Sequence, residues 1–317
     1  MTVKTQLTQV EISEVLSRYA EGGLTQATPI AEGTVQTNYL VETTHGKSVL
    51  RYYEGRSRES VLFETELLTY LTAHGYPCPA PIADRDGTVV GALRGKPLVL
   101  YRYIEGHHVE HPNTEQRRQL IRKVAELQVL GKGFSSPYTP YRWNYTRDLC
   151  RRLALKAAQR TSSADAMRKY LWLDQTLASL DLPDDHPLGV CHCDFYYANV
   201  LFQGDRFVAL LDFDDANITY PQFDLVGLIE YGAWPHTSDL LDLAAARDIV
   251  RVYSAHRELA EVERAHLFDV YRLSILFDCV WFFKRGSAGD FYERRKIQAL
   301  NNLGRDRFRE ALFGTAA

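Results

Sequence analysis

Apolar side chains recur along this chain at two periods. Thr8 to Glu11 reads T-x-x-E, a capping box. Ile12, Val15, Leu16 and Tyr19 follow at helical spacing until Gly22 and Gly23 end the pattern. From Ile30 to Tyr53 the segments TNYLVETT and SVLRYY alternate and flank His45-Gly46-Lys47, which predicts a hairpin with its turn. Residues 59–74 return to helical spacing, with Leu62, Phe63, Leu67, Leu68 and Leu71 on the apolar side. The run YPCPAPI then forces extended chain. Asp84-Arg85-Asp86-Gly87 reads as a turn, and PLVLYRYI at 97–104 as a strongly apolar strand. After Gly106 the texture changes, and residues 114–132, 144–159, 164–180, 238–256, 260–284 and 291–311 all predict helices. The exception is 188–213, where short apolar runs around Gly204-Asp205 predict strands. The pattern therefore predicts an α+β chain, β-rich over 1–105 and mainly helical over 106–317, with its boundary near Glu105-Gly106. No internal repeat or low-complexity segment interrupts it.

Composition removes several function classes. With 317 residues, 45% hydrophobic and 24% charged, the chain can bury a sizeable core. A net charge of −3 supplies no basic field for nucleic acid. No stretch is long and apolar enough to span a bilayer, and MTVKTQLTQVEI lacks the apolar run of a secretory signal. Five scattered cysteines, at 78, 150, 191, 193 and 279, form no framework and predict reduced thiols in the cytoplasm. Cys191, His192 and Cys193 stand side by side, but no second ligand pair follows to make a zinc site.

The chemistry concentrates in VCHCDFYYANVLFQGDRFVALLDFDDA. It holds His192-x-Asp194-x4-Asn199 and, twenty residues after His192, Asp212. Phosphoryl transfer needs a carboxylate near the attacking hydroxyl, oxygen ligands for magnesium and stabilisation of charge. Asp194, Asn199 and Asp212 are the residue types for those tasks. The runs VLF and FVALL, paired through Gly204-Asp205, would bring Asn199 and Asp212 to the same end of a hairpin.

This stretch resembles the catalytic and metal-binding segments of the aminoglycoside phosphotransferase-like kinases, a superfamily that shares the protein-kinase fold and includes choline kinases and one class of homoserine kinases. The likeness extends to EGTVQTNYLVETTHGKSVLRYY and GYPCPAPIADRDG, which are similar to the homoserine kinases of that class. It implies a two-lobed protein-kinase-like fold, with the nucleotide-covering hairpin and hinge strand in the N-lobe and the catalytic and metal-binding loops in the C-lobe. It implies ATP and Mg2+ as cofactors, Asp194 as the catalytic aspartate, and Asn199 and Asp212 as magnesium ligands. His192 would brace the loop, and Asp224 in QFDLVG would buttress it. Gly33, Thr34 and Asn38 fall in the loop expected to cover the phosphates, although that loop has fewer glycines than a protein-kinase G-x-G-x-x-G.

Two departures stand out. Arg51 occupies the position of the usual kinase lysine; its planar fork can grip phosphate oxygens bidentately, but it does not replace lysine atom for atom. Its expected partner on the next helix is Glu64, with Glu66 as the alternative. Asp214 and Asp215 add acidity directly after Asp212, and the cluster is expected to favour an acceptor carrying an ammonium group. Adenine would lie against Leu100-Tyr101-Arg102-Tyr103-Ile104, with Tyr101 and Tyr103 in the lining. The expected acceptor is a small amine-bearing alcohol, homoserine first, then choline, ethanolamine or an aminoglycoside. A nucleotide-binding pseudokinase with a regulatory or interaction role is the reading of another class. Neither the acceptor-binding residues nor the oligomeric state is legible in the sequence.

Overall fold

A computed structural model describes residues 5–31, 35–234, 240–281 and 283–314. Strands β1 (Leu24–Ile30), β2 (Thr37–Thr43), β3 (Gly46–Tyr52), β4 (Pro81–Ile82), β5 (Gly91–Leu93) and β6 (Lys96–Arg102) come first, with helices α1 (Gln9–Leu16) and α2 (Arg58–Ala73) among them. There follow α3 (Thr114–Gly131), α4 (Arg147–Thr161), α5 (Ala164–Ala178), β7 (Gly189–Cys191), β8 (Val200–Gln203), β9 (Arg206–Leu210) and β10 (Asn217–Thr219). The chain continues through α6 (Gln222–Ala233), α7 (Leu243–Ser254), α8 (Glu261–Trp281), α9 (Tyr292–Leu303) and α10 (Arg305–Phe313).

These elements form two compact units. The first contains Met1–Pro112, Gly133–Arg142 and Tyr197–Asp214; the second contains Asn113–Lys132, Trp143–Tyr196 and Asp215–Ala317. A single cut after Glu105 therefore does not describe the chain. The β8–β9 hairpin joins the first unit for a local reason: His107 N donates to Phe202 O at 2.9 Å, and Leu210 N to Pro77 O at 2.9 Å.

In the first unit an antiparallel sheet runs in the order β1-β2-β3-β6-β4, with β5 also paired to β6. Two-residue alternation sorts β2 and β3 into faces. Tyr39, Val41, Leu50 and Tyr52 enter the core that Ile12, Val15 and Leu16 of α1 also fill. The capping box predicted at Thr8 and Glu11 starts that helix. The opposite face carries Asn38 directly across from Arg51 and Leu40 across from Val49. Ser57 caps α2, whose buried side includes Phe63, Glu64, Leu67 and Leu71.

The second unit is helical, apart from the short pair β7–β10, in which Cys191 lies opposite Asn217. Gly131 lets α3 approach β7, since a Cβ there would sit 2.6 Å from Val190 Cβ. The helix predicted over 291–311 is two helices, broken at Gly304 with φ of 81°. Among the described residues, no helix is long and apolar enough to cross a membrane.

Candidate active site

The face of β2 and β3 that turns away from α1 lines a cavity of about 490 Å³, and all of its lining residues belong to the first unit. Ile30, Leu40, Val49, Leu68 and Leu201 supply apolar walls. Asn38, Arg51, Glu64, Asn199 and Asp212 supply polar groups. β6 ends at Arg102, so the backbone of Tyr103 and Ile104 lies beyond the strand where it meets the cavity wall. Tyr101 also lines the cavity but is mostly committed to packing; its hydroxyl shares a 2.8 Å hydrogen bond with that of Tyr53. Gly33 and Thr34 lie outside the described residues.

Charge in this cavity is arranged differently from the expectation for Arg51. Its Nη2 donates to Asp212 Oδ1 at 2.6 Å, while Glu64 Oε1 accepts from the Tyr53 hydroxyl at 2.9 Å. The long guanidinium thus reaches the carboxylate at the hairpin end instead of the one on α2. Glu66, the alternative, accepts from Ser136 Oγ at 2.6 Å. Burial alone would lower the Arg51 pKa, but the carboxylates of Asp212, Glu64 and Asp214 outweigh it and hold the guanidinium charged. Burial also raises Glu64 above the usual carboxylate range, helped by Asp214 and Asp212 and opposed by Arg51. Two buried atoms lack hydrogen-bond partners among the described residues: Arg51 Nε, a donor, and Glu64 Oε2, an acceptor.

Asn199 and Asp212 meet at the open end of the β8–β9 hairpin. Val200 pairs with Leu210, and one step further Leu211 N donates to Asn199 O at 2.7 Å. Asp212 then turns into the left-handed region with φ of 61°. That conformation costs a non-glycine residue about 1–2 kcal/mol, and aspartate tolerates it better than most. The turn lifts the carboxylate out of the ladder and to the cavity wall, where its side chain is 39% exposed.

Asp214 is not part of an acidic field open to an acceptor. Its carboxylate takes Arg56 Nε at 2.9 Å, Arg56 Nη2 at 3.1 Å and Gln36 Nε2 at 2.9 Å. Burial would raise its pKa, yet Arg51, Arg56 and Gln36 together hold it below the usual range. Arg142 completes this bracing. It is buried under the loop and donates to Ser60 O, Ser60 Oγ, Phe213 O and Asp214 O at 3.1, 2.9, 3.1 and 2.5 Å. Arg142→Ala would leave these buried acceptors unmatched, which is expected to cost at least about 2 kcal/mol. The checks are a lower thermal midpoint and weaker nucleotide binding together. An unchanged midpoint would reduce Arg142 to a bystander.

Asp194 belongs to the second unit, at the end of β7. Its backbone N–H donates to His192 Nδ1 at 3.2 Å, so that nitrogen accepts and the proton sits on Nε2. Asp224, in the first turn of α6, receives His192 N–H at 3.0 Å and Cys193 N–H at 2.8 Å. Gln128 Nε2 adds a bond at 3.1 Å. Burial raises the Asp224 pKa; the two backbone donors and His192 work against that rise. Cys193, between them, is also left-handed, with φ of 64°. The residue before Asp194 is thus held in a strained conformation by a buried carboxylate. Cys191, Cys193 and Asp224 bring their ligand atoms within 4.8 Å of one another, but both Asp224 oxygens are already engaged by backbone N–H groups.

As a donor set for magnesium, the Asn199 carboxamide oxygen and the Asp212 carboxylate fit. Both are hard oxygens at one end of the same cavity. An apolar pocket ending in those oxygens and a charged guanidinium has the groups that a nucleotide's phosphates and their metal would call for. The chain belongs to the phosphotransferase enzyme family, whose model matches residues 26–261, and it is an ATP-dependent small-molecule kinase. It is 35% identical over 272 residues to a homoserine kinase of Methylobacterium radiotolerans, covering 84% of this chain and 83% of that one. It is 31% identical over 303 residues to a homoserine kinase of Caulobacter sp. strain K31, covering 93% and 88%. Among solved structures, an amicoumacin kinase in complex with AMP-PNP, Ca2+ and Ami superposes with a TM-score of 0.65 at 17% identity, covering 98% of this chain and 94% of that one. A spectinomycin phosphotransferase with ADP and spectinomycin gives 0.60 at 14% identity, covering 98% and 99%. These likenesses show the two-lobed kinase-like α+β fold.

Proposed function

We infer that this kinase moves the γ-phosphoryl group of ATP to the side-chain hydroxyl of L-homoserine, with Mg2+. The observation that carries the reading is the convergence of Asn199, Asp212 and Arg51 at one end of an apolar cavity, in a chain similar to homoserine kinases over most of its length. The antibiotics named with the solved structures do not transfer, because 14–17% identity speaks for the fold alone.

Adenine would lie between the apolar walls, with the backbone near Tyr103 and Ile104 reading its edge. Asn38 and Arg51, side by side on β2 and β3, would face the phosphates. Asn199 and Asp212 would hold Mg2+, which when bound neutralises phosphate charge. Asp194 would orient the acceptor hydroxyl and accept its proton. Asp212 cannot serve a metal and Arg51 at full strength together. The unpartnered Arg51 Nε and Glu64 Oε2 offer the guanidinium a second anchor when Asp212 is taken.

Arg51→Lys is expected to keep more activity than Arg51→Ala. Lysine keeps the charge and loses the fork, and a hydrogen bond to a charged group is worth about 1.5–3 kcal/mol. Comparing kcat/KM for ATP in the three proteins is the check; equal values would remove Arg51 from the site. The function itself is tested by ADP release over homoserine, choline, ethanolamine and aminoglycosides. ATP binding without turnover on any of them would support the pseudokinase reading instead.

A further inference from the structure

A buried ring in a core needs no hydroxyl, yet that of Tyr253 stands in the middle of a hydrogen-bond series that ends on the loop carrying Asp194. We propose that Tyr253 on α7 and Gln128 on α3 are positioning residues for catalysis: with Arg257 they form a one-directional relay that holds Asp224 and, through it, the turn that aims Asp194. This inference rests on the reading of Asp194 as the group that orients the acceptor hydroxyl, and it adds residues that act through others.

The relay starts from a group that can only donate. A guanidinium has no acceptor, so Arg257 Nη1, 3.1 Å from the Tyr253 hydroxyl, makes that oxygen the acceptor. Glu263 on α8 fixes the guanidinium by taking Nη2 on Oε1 at 2.6 Å, and its Oε2 accepts from Ala260 N at 2.8 Å. The Tyr253 proton is then committed to Gln128 Oε1. With its oxygen engaged, the Gln128 amide turns Nε2 to Pro221 O at 2.7 Å and to Asp224 Oδ2 at 3.1 Å. Reversed, the amide would set its oxygen against a carbonyl and a carboxylate. Every bond in the series runs from the cation toward the Asp224 carboxylate, and bonds aligned in this way polarise one another.

Placement makes the relay sensitive. Gln128, Asp224, Tyr253, Arg257 and His192 are all buried and all belong to the second unit, so a lost member leaves its neighbour unmatched rather than solvated. Gly131, one turn beyond Gln128, brings α3 against Val190 of β7, the strand that leads into the loop. At the far end, Asp224 holds the N–H groups of His192 and Cys193. Cys193 is the left-handed residue directly before Asp194, and that conformation persists only while its surroundings enforce it. A weaker hold on Asp224 lets the backbone at 193 relax, and the next side chain along the chain is the Asp194 carboxylate.

The test is steady-state kinetics on the full chain with Mg-ATP and homoserine, or with whichever alcohol releases ADP fastest, at a temperature below every variant's thermal midpoint. Tyr253→Phe keeps the ring and removes the one atom that orients Gln128. It is expected to lower kcat about 5- to 30-fold, the scale of one buried hydrogen bond lost. The KM for Mg-ATP, whose proposed cavity is lined by the first unit, should stay within about twofold, roughly 0.4 kcal/mol. Gln128→Met should lower kcat at least as far, and the double variant no further than Gln128→Met alone, because Tyr253 acts only through Gln128. If Gln128→Met does not fold, Tyr253→Phe decides alone. An unchanged kcat in Tyr253→Phe overturns the inference and leaves the kinase reading standing. A kcat loss matched by an equal rise in the KM for Mg-ATP also overturns it, since that marks a general loosening, and so do additive losses in the double variant. Near-wild-type turnover in Asp194→Asn, or a wild type that phosphorylates none of the alcohols, overturns the underlying reading and this inference with it.

Discussion

Asp194→Asn is expected to lower kcat by about 10²–10⁴-fold with little change in Mg-ATP affinity. The size is that of general-base assistance by one positioned group. The separation of the two effects follows from the structure. The loop is set by backbone contacts, with His192 and Cys193 N–H on Asp224 and the Asp194 N–H on His192, and an isosteric side-chain change leaves these in place. The cavity proposed for the nucleotide is lined, among the described residues, by the first unit, and Asp194 belongs to the second. Asp224→Asn provides the contrast. It weakens the acceptor for two backbone N–H groups and should lower both the thermal midpoint and kcat, since it acts by positioning. Near-wild-type turnover in Asp194→Asn on the acceptor identified by ADP release would remove it from the chemistry. Equal losses of stability in both variants would make it a structural residue.

What the sequence made legible follows from what alternation and turn chemistry can encode. The β8–β9 hairpin was readable because Gly204-Asp205 separates two apolar runs, and its register then places Asn199 next to Asp212. Arg51 was readable as a strand residue on the face opposite Leu50 and Tyr52. Its partner was not, because a long guanidinium chooses among carboxylates by tertiary placement; Asp212 lies 161 residues away. The same holds for Asp214, whose acidity looked available until Arg56 and Gln36, 158 and 178 residues distant, closed on it. Arg142, in an irregular segment, carries no local signal for bracing a loop 71 residues ahead.

Among the elements, α6 escaped because it lacks a polar stripe. Phe223, Leu225, Val226, Leu228 and Ile229 are all buried, so no helical period shows. β1 escaped for the opposite reason. Only Ala27 of its seven residues is fully buried, and pairing with β2 rather than a sequence pattern makes it a strand.

Asp212→Asn should have the largest effect on the nucleotide side, lowering kcat/KM by roughly 10²–10³-fold, since a metal's charge stabilisation is worth several kcal/mol. Asparagine is the informative substitution because the backbone at 212 is left-handed, with φ of 61°. Asparagine tolerates that region, whereas alanine adds about 1 kcal/mol of strain and confuses chemistry with folding. Two opposed shifts are expected. The magnesium concentration giving half-maximal activity should rise, because a neutral amide oxygen is a weaker ligand than a carboxylate. Binding of ADP without magnesium should hold or tighten. Asp212 no longer repels the phosphates, and Arg51, now engaged with Asp212 at 2.6 Å, is released toward them. A merely structural role for Asp212 would weaken both kinds of binding together. Titrating ADP against the variant with and without magnesium separates the cases, and an unchanged magnesium requirement would exclude Asp212 as a metal ligand.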